Sequence, residues 1–186
     1  MTTYTALKSD INDFMEDDGS DFTAATDKFI DIAELKLSRD LAVPAFRKRQ
    51  TSSLTQSDPF LTLPSDLITL EYLQTVSSNV RTNLLLKSDE FMQEYWPNRT
   101  STGTPRYYDD DTIYVAPTPS ANTSVEISYR RRLPALTESN TANWLTSNAY
   151  DALLYACLIE ASVYNRNDKT LGYYTQLYQK AVQDVN

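Results

Sequence analysis

Ser124-Val125-Glu126-Ile127-Ser128-Tyr129-Arg130-Arg131 is the stretch that decides the fold class. Val125, Ile127 and Tyr129 alternate with Ser124, Glu126, Ser128 and Arg130. Successive side chains point to opposite sides of a strand, so this alternation predicts a β-strand with one apolar face. A helix would scatter the same residues around its circumference. Strand structure therefore has to be accommodated in a chain whose two ends, as shown below, carry a different period.

The strand signal extends towards the N-terminus as far as Val43 and ends near Pro134. Between these points short β-branched and aromatic segments are bounded by Pro, Asn, Asp, Ser and Gly, the punctuation expected of strands and turns. Strands are predicted over Arg47–Leu54, Phe60–Leu63, Leu67–Val76, Val80–Leu86, Pro105–Tyr108, Thr112–Ala116 and Ser124–Arg131. Asp109-Asp110-Asp111 separates Arg106-Tyr107-Tyr108 from Ile113-Tyr114-Val115, and a hairpin turn is predicted there. One helix interrupts the series. Ser88 is its cap, Asp89 and Glu90 suit its positive end, and Phe91, Met92 and Tyr95 supply apolar contacts before Pro97 stops it.

Outside this middle the period is helical. Tyr4, Leu7, Ile11 and Phe14 fall on one face, Glu16 to Ser20 interrupts, and Asp21 is read as the N-cap of a second helix. Its stripe is Phe22, Ala25, Phe29, Ile32 and Ala33, continued by Leu37 and Leu41. Near the C-terminus a helix from about Ser147 carries Tyr150, Leu153, Leu154, Cys157, Leu158, Ala161 and Val163, apolar around much of its circumference and so suited to the centre of a bundle. A turn at Asn165–Asp168 leads to a last helix with Leu171, Tyr174, Leu177, Tyr178, Ala181 and Val185. The expected class is α+β: an antiparallel bundle of about four helices, two N-terminal and two C-terminal, around a β-rich insertion. The expected division assigns residues 1–42 and 135–186 to the helical body and 43–134 to the inserted β-rich domain with one short helix.

Composition removes several kinds of chemistry. The 186 residues contain no histidine, which takes away the commonest general base and metal ligand and every Ser-His or Cys-His nucleophile pair. Cys157 sits among Leu153, Leu154, Leu158 and Ala161 and reads as a small buried hydrophobe. Three glycines spread over the chain cannot build a phosphate loop. The acidic clusters Glu16-Asp17-Asp18 with Asp21, and Asp109 to Asp111, do not follow the alternating calcium-loop pattern and read as solvated turns and helix caps. No catalytic residue, cofactor or metal ligand is expected. Met1 to Lys8 shows no basic start followed by an apolar run, so no secretory leader is expected, and no run approaches a membrane span.

The net charge of −8 disfavours a protein built to grip nucleic acid. Arg47-Lys48-Arg49 and Arg130-Arg131-Arg132 are local exceptions. On strands neither run makes a one-sided patch by itself, so a partner's acidic surface or ion pairs between subunits are favoured over DNA phosphate. The 13 tyrosines suit either contact surfaces or the rim of a core.

Several blocks, taken in order, resemble the head-to-tail adaptor (connector) proteins of tailed phages, of the type beneath the portal in short-tailed phages. Phe29-Ile30-Asp31-Ile32-Ala33-Glu34-Leu35-Lys36-Leu37-Ser38-Arg39-Asp40-Leu41 is similar to the family's second helix, with its Ala-Glu pair and Arg-Asp-Leu exit. Leu63-Pro64-Ser65-Asp66-Leu67, Thr104-Pro105-Arg106-Tyr107-Tyr108 and Val115-Ala116-Pro117-Thr118-Pro119 resemble its β-domain phrases. Tyr129 to Thr137, Asn143-Trp144-Leu145 and Leu154 to Ala161 are similar to its passage into the penultimate helix. The resemblance implies a non-enzymatic virion protein at the head-tail junction, made in the bacterial host's cytoplasm. It implies a ring, usually dodecameric, with the portal dodecamer, tail or nozzle proteins and neighbouring copies as partners, and DNA passing through without sequence-specific binding. An acidic ring would help a duplex slide, since adhesive contacts raise barriers to ejection. The alternatives are another tail-completion protein or, further off, a cell-wall hydrolase working through carboxylates.

Overall fold

The computed structural model describes residues 3–109 and 113–186. The class is α+β, with six α-helices and a four-stranded antiparallel sheet among the described residues. Two compact units emerge: Met1–Phe46 with Arg132–Asn186, and Arg47–Arg131.

The first unit is helical. Helix α1 (Tyr4–Met15) is capped by the Thr3 hydroxyl, which accepts from the Ala6 N–H, and it buries Tyr4, Leu7 and Ile11. Phe14 does not join them and is 54% exposed, because the inward face passes from Ile11 to Met15, four residues on, which packs against the core in its place. Helix α2 (Ser20–Asp40) follows Gly19, so Asp21 lies in the first turn and is not the N-cap. There its carboxylate still faces the positive end of the helix. The buried stripe of α2 is Phe22, Thr26, Phe29, Ile30, Ala33, Glu34, Leu37 and Ser38. Ile32, expected on this stripe, is 45% exposed. The face follows positions 26, 30 and 34, so polar Thr26 and Glu34 occupy inward places that hydrophobicity alone assigned to Ile32.

The predicted helix from Ser147 is two helices. Asn143 caps α4 (Trp144–Asn148) through a reciprocal box with Thr146, and Ala149, at φ −144°, breaks the path before α5 (Tyr150–Tyr164). Helix α5 buries Leu153, Leu154, Cys157, Leu158 and Ala161, while Val163 is exposed. Asn167 caps α6 (Asp168–Val185), in which Tyr174, Tyr178 and Ala181 are buried. Helix α5 packs on α1, α2 and α6. Central position explains why so few of its residues are polar.

The second unit follows a 3₁₀ turn at Pro44–Phe46. Strands β1 (Arg47–Leu54), β2 (Leu67–Ser77), β3 (Val80–Asn83) and β9 (Thr123–Arg131) form the sheet in the order β1-β9-β2-β3, every pair antiparallel. Val125, Ile127 and Tyr129 of β9 are fully buried with Leu54, Leu73 and Leu84. The predicted Val80–Leu86 strand divides into β3 and β4 (Leu85–Leu86), and α3 (Asp89–Tyr95) follows with Ser88 as its cap. Phe60–Leu63 forms no strand and contributes only a bridge from Phe60 to Tyr114. Two short pairs, β5 (Thr102–Gly103) with β8 (Thr118–Pro119) and β4 with β6 (Tyr107–Tyr108), are parallel. Strands β6 and β7 (Val115–Ala116) pair antiparallel, as the two arms of a hairpin must. The tip of the predicted turn at Asp110–Asp111 lies outside the described residues.

Candidate functional site

The four-stranded sheet shows one face of mixed, largely polar character. Register places Arg47 opposite Arg130, Arg49 opposite Ser128 and Thr51 opposite Glu126, while Tyr72 and Gln74 of β2 continue the last two rows and Arg81 of β3, opposite Val76, stands in the next row. Alternation alone sends Arg47 and Arg49 outward and turns Lys48 to the other side. Each basic run therefore gives only some of its members to this face, yet β1–β9 pairing pools arginines that lie about 80 residues apart in sequence. No reading of either run by itself could reveal that.

Two carboxylates moderate the charge. The shift in register between Leu70 and Tyr72 accommodates Glu71. Its Oε1 accepts from Arg47 Nε at 3.0 Å and its Oε2 from the Ser128 hydroxyl at 3.1 Å. Glu126 accepts from Arg81 Nε at 3.1 Å. Arg49 has no carboxylate partner among the described residues, and its guanidinium lies 5.8 Å from the centre of the Tyr72 ring. Shallow depressions run along this face, lined by Arg49, Tyr72, Gln74, Arg81 and Glu126 and by Arg47, Glu71 and Ser128.

On the opposite side, Lys48 Nζ donates to Asp66 at 2.9 Å, and the Tyr129 hydroxyl donates to the other Asp66 oxygen at 2.7 Å. Burial pushes the Asp66 carboxyl up, but the hydrogen bonds from Tyr129 and Lys48 outweigh it and hold the group below its ordinary value. Lys48 is thus a fastener between β1 and the loop before β2. It is not part of the exposed cationic face.

Tyrosines serve the same purpose elsewhere. In the helical unit Tyr4 donates to Asp27 at 2.6 Å, Tyr178 donates to Asp40 at 2.6 Å, and Tyr150 donates to Asp10. These three bonds tie α1 to α2, α2 to α6 and α1 to α5. Tyr114 donates to Asp89 at 3.0 Å in the other unit. Burial, reinforced by the aspartate, raises all four phenol values, so the hydroxyls stay protonated donors. Tyr95, Tyr164 and Tyr173 remain as large exposed aromatics. Tyr95 belongs to a cluster in which Phe91 stacks at 5.6 Å and Tyr107 meets it edge-on at 4.9 Å, beside exposed Leu85 and Leu86.

Glu34 is a buried fastening residue that the hydrophobic pattern concealed. Only 7% exposed, it accepts from the Leu136 N–H at 3.2 Å and from Asn143 Nδ2 at 2.6 Å. Burial raises its carboxyl above the ordinary value against the pull of these two bonds. It thereby fastens the passage leading into α4 onto α2. The signal was its spacing: Glu34 stands four residues after buried Ile30 and three before buried Leu37.

Nothing in this arrangement forms a nucleophile–base pair. Cys157 is fully buried, and burial pushes its thiol well up, so it stays a thiol and not a thiolate. Among the described residues no group of three or more His, Cys, Asp or Glu is placed to hold a metal ion. Among them, too, no helix is long and apolar enough to cross a membrane. Asp13, Glu16, Asp18 and Asp21, around the α1–α2 turn, are exposed and enter no ion pair or side-chain hydrogen bond among the described residues. Asp17 accepts from the Gly19 N–H at 3.0 Å within that turn.

A family model described as SU10 adaptor protein matches residues 2–186. No curated protein matches the chain.

Proposed function

Because this chain belongs to the SU10 adaptor protein family, a phage head-to-tail adaptor family and so a structural kind of protein, we propose that it assembles as a ring beneath the portal. The match across residues 2–186 carries this reading, since it spans both helical ends and the β-rich middle together. In the proposal the ring is dodecameric, joins the capsid to tail or nozzle proteins, and encloses a channel through which DNA passes without being held. The helical ends form its body, the β-rich middle is an inserted domain, and the finished ring sits at the head-tail junction of the virion.

Charge supports the passive channel. The helical unit carries 15 acidic and 8 basic residues, the β-rich unit 10 and 9, so −7 of the −8 resides in the helices. Acidic walls repel a duplex, and repulsion keeps barriers to sliding low. The free chain stays monomeric or weakly associated and closes its ring on the portal, because premature rings would compete with ordered assembly. Light scattering of the isolated chain, followed by gradient sedimentation with the portal of the same phage, tests this. A single small species that shifts entirely to the portal fraction is expected. A stable free ring, or no shift, contradicts it.

A further inference from the structure

We propose that the arginine-bearing face of the four-stranded sheet is the seat for the acidic α1–α2 turn of a neighbouring copy. This rests on the ring reading above and names the contact that would close the ring.

The two surfaces are complementary in chemistry. On the sheet face Arg47 is paired with Glu71 and Arg81 with Glu126, while Arg49 has no carboxylate partner among the described residues. Arginines placed directly opposite one another, as Arg47 and Arg130 are, work against strand pairing unless an anion lies between or above them. Glu71 meets that need for Arg47, whereas Arg49 has only the Tyr72 ring. Between Lys8 and Lys28 the chain has seven acidic residues and no basic one. Asp10, Asp17 and Asp27 are engaged by Tyr150, by the turn itself and by Lys8 with Tyr4. Asp13, Glu16, Asp18 and Asp21 are left pointing to water around a tight turn. Planar guanidinium groups recognise carboxylates through paired hydrogen bonds, so arginine is the residue suited to such a seat.

The contact joins two different surfaces of one sequence. Such a contact is heterologous, the type that generates a ring when the rotation closes, whereas a two-fold dimer uses the same patch twice. Duplex DNA fits the face less well. A duplex presents about one charge per 1.7 Å and calls for an unbroken cationic track, while here carboxylates stand among the arginines at Glu71 and Glu126. A short acidic loop needs only the local positive spots between them.

The test uses full-length chains assembled on the portal of the same phage, with rings counted by negative-stain electron microscopy and binding of a labelled duplex measured alongside. The variants are Arg49→Glu, the pair Glu16→Lys with Asp18→Lys, and the chain carrying all three changes. Circular dichroism first establishes that each is folded; the altered side chains are all exposed. Each reversal alone should lower ring occupancy about tenfold, and the combined chain should recover most of it, because the swapped charges attract again. Recovery is the outcome a merely structural role would not give. If the reversals leave rings intact while Arg49→Glu weakens duplex binding, the face serves DNA and the proposal fails. If the combined chain assembles no better than the single reversals, the two surfaces do not meet. If the unaltered chain itself forms no ring, the ring reading falls and this contact falls with it.

Discussion

A few buried polar groups do much of the fastening, and their worth can be measured singly. Tyr178→Phe removes a hydroxyl that donates to Asp40 and leaves that carboxylate one partner short. Hydrogen bonds to charged groups contribute about 1.5–3 kcal/mol, and urea titration should show a loss in that range with an unchanged slope. Glu34→Ala leaves the Leu136 N–H and the Asn143 amide without their acceptor and should cost about as much again. Glu34→Gln keeps the shape and separates charge from bonding. The Glu34 carboxyl is raised above its ordinary 4.5 in the folded chain, so its contribution is fully present below 4.5 and is lost as pH rises through the raised value. Asp27, held low by the bonds from Lys8 and Tyr4, and Asp66 act in the opposite sense, adding stability above 3.8 that disappears as pH falls. Thermal melts across this range should therefore show Glu34→Gln gaining on the unaltered chain as pH rises above 4.5. A constant difference would mean the carboxyl is not perturbed. Little of this was legible in advance. The Ala33-Glu34 pair belongs to a block that resembles the family's second helix, but the partners of Glu34, Leu136 and Asn143, lie more than 100 residues away.

At the scale of elements, legibility followed burial. Strand β9 was readable because its apolar residues share one face: Val125, Ile127 and Tyr129 are at 0% exposure, while on the other face Ser124 is exposed, Glu126 and Arg130 are half-buried, and buried Ser128 is polar. Ile127→Ala should consequently cost about 2–5 kcal/mol by urea titration, the range for truncating a core aliphatic side chain. Helix α5 was equally plain, but its start was not. The break at Ala149 depends on a capping box around Asn143, which the apolar period from Ser147 onward does not register. The parallel pairs of β4 with β6 and β5 with β8 escaped for a related reason, since two-residue strands are too short to show any period. Cys157 gives this scale its own probe. Buried in α5, it should resist a thiol reagent until the helical unit opens, so its labelling rate should follow unfolding across a denaturant series. Rapid labelling in native buffer would show that α5 is not the packed centre described.

At the scale of the whole molecule, what the chain does in the proposed reading depends on how copies meet. Composition already argued against catalysis, through the missing histidine, and the match over residues 2–186 gave the positive identity. What no linear reading could supply is the distribution of charge in space. The acidic excess falls to the helical unit, and Arg47 and Arg49 of one basic run meet Arg130 of the other on one sheet face because β1 pairs with β9. That face should make assembly sensitive to salt, since exposed charges more than about 10 Å apart are screened at 0.1 M. The most direct test of the account is electron microscopy of the chain mixed with the portal of its own phage. The account predicts a closed ring of this protein stacked coaxially on the portal, with an open channel and a lumen that is not strongly basic. A portal left bare, or a ring whose lumen is lined by arginine and lysine gripping the duplex, would contradict it.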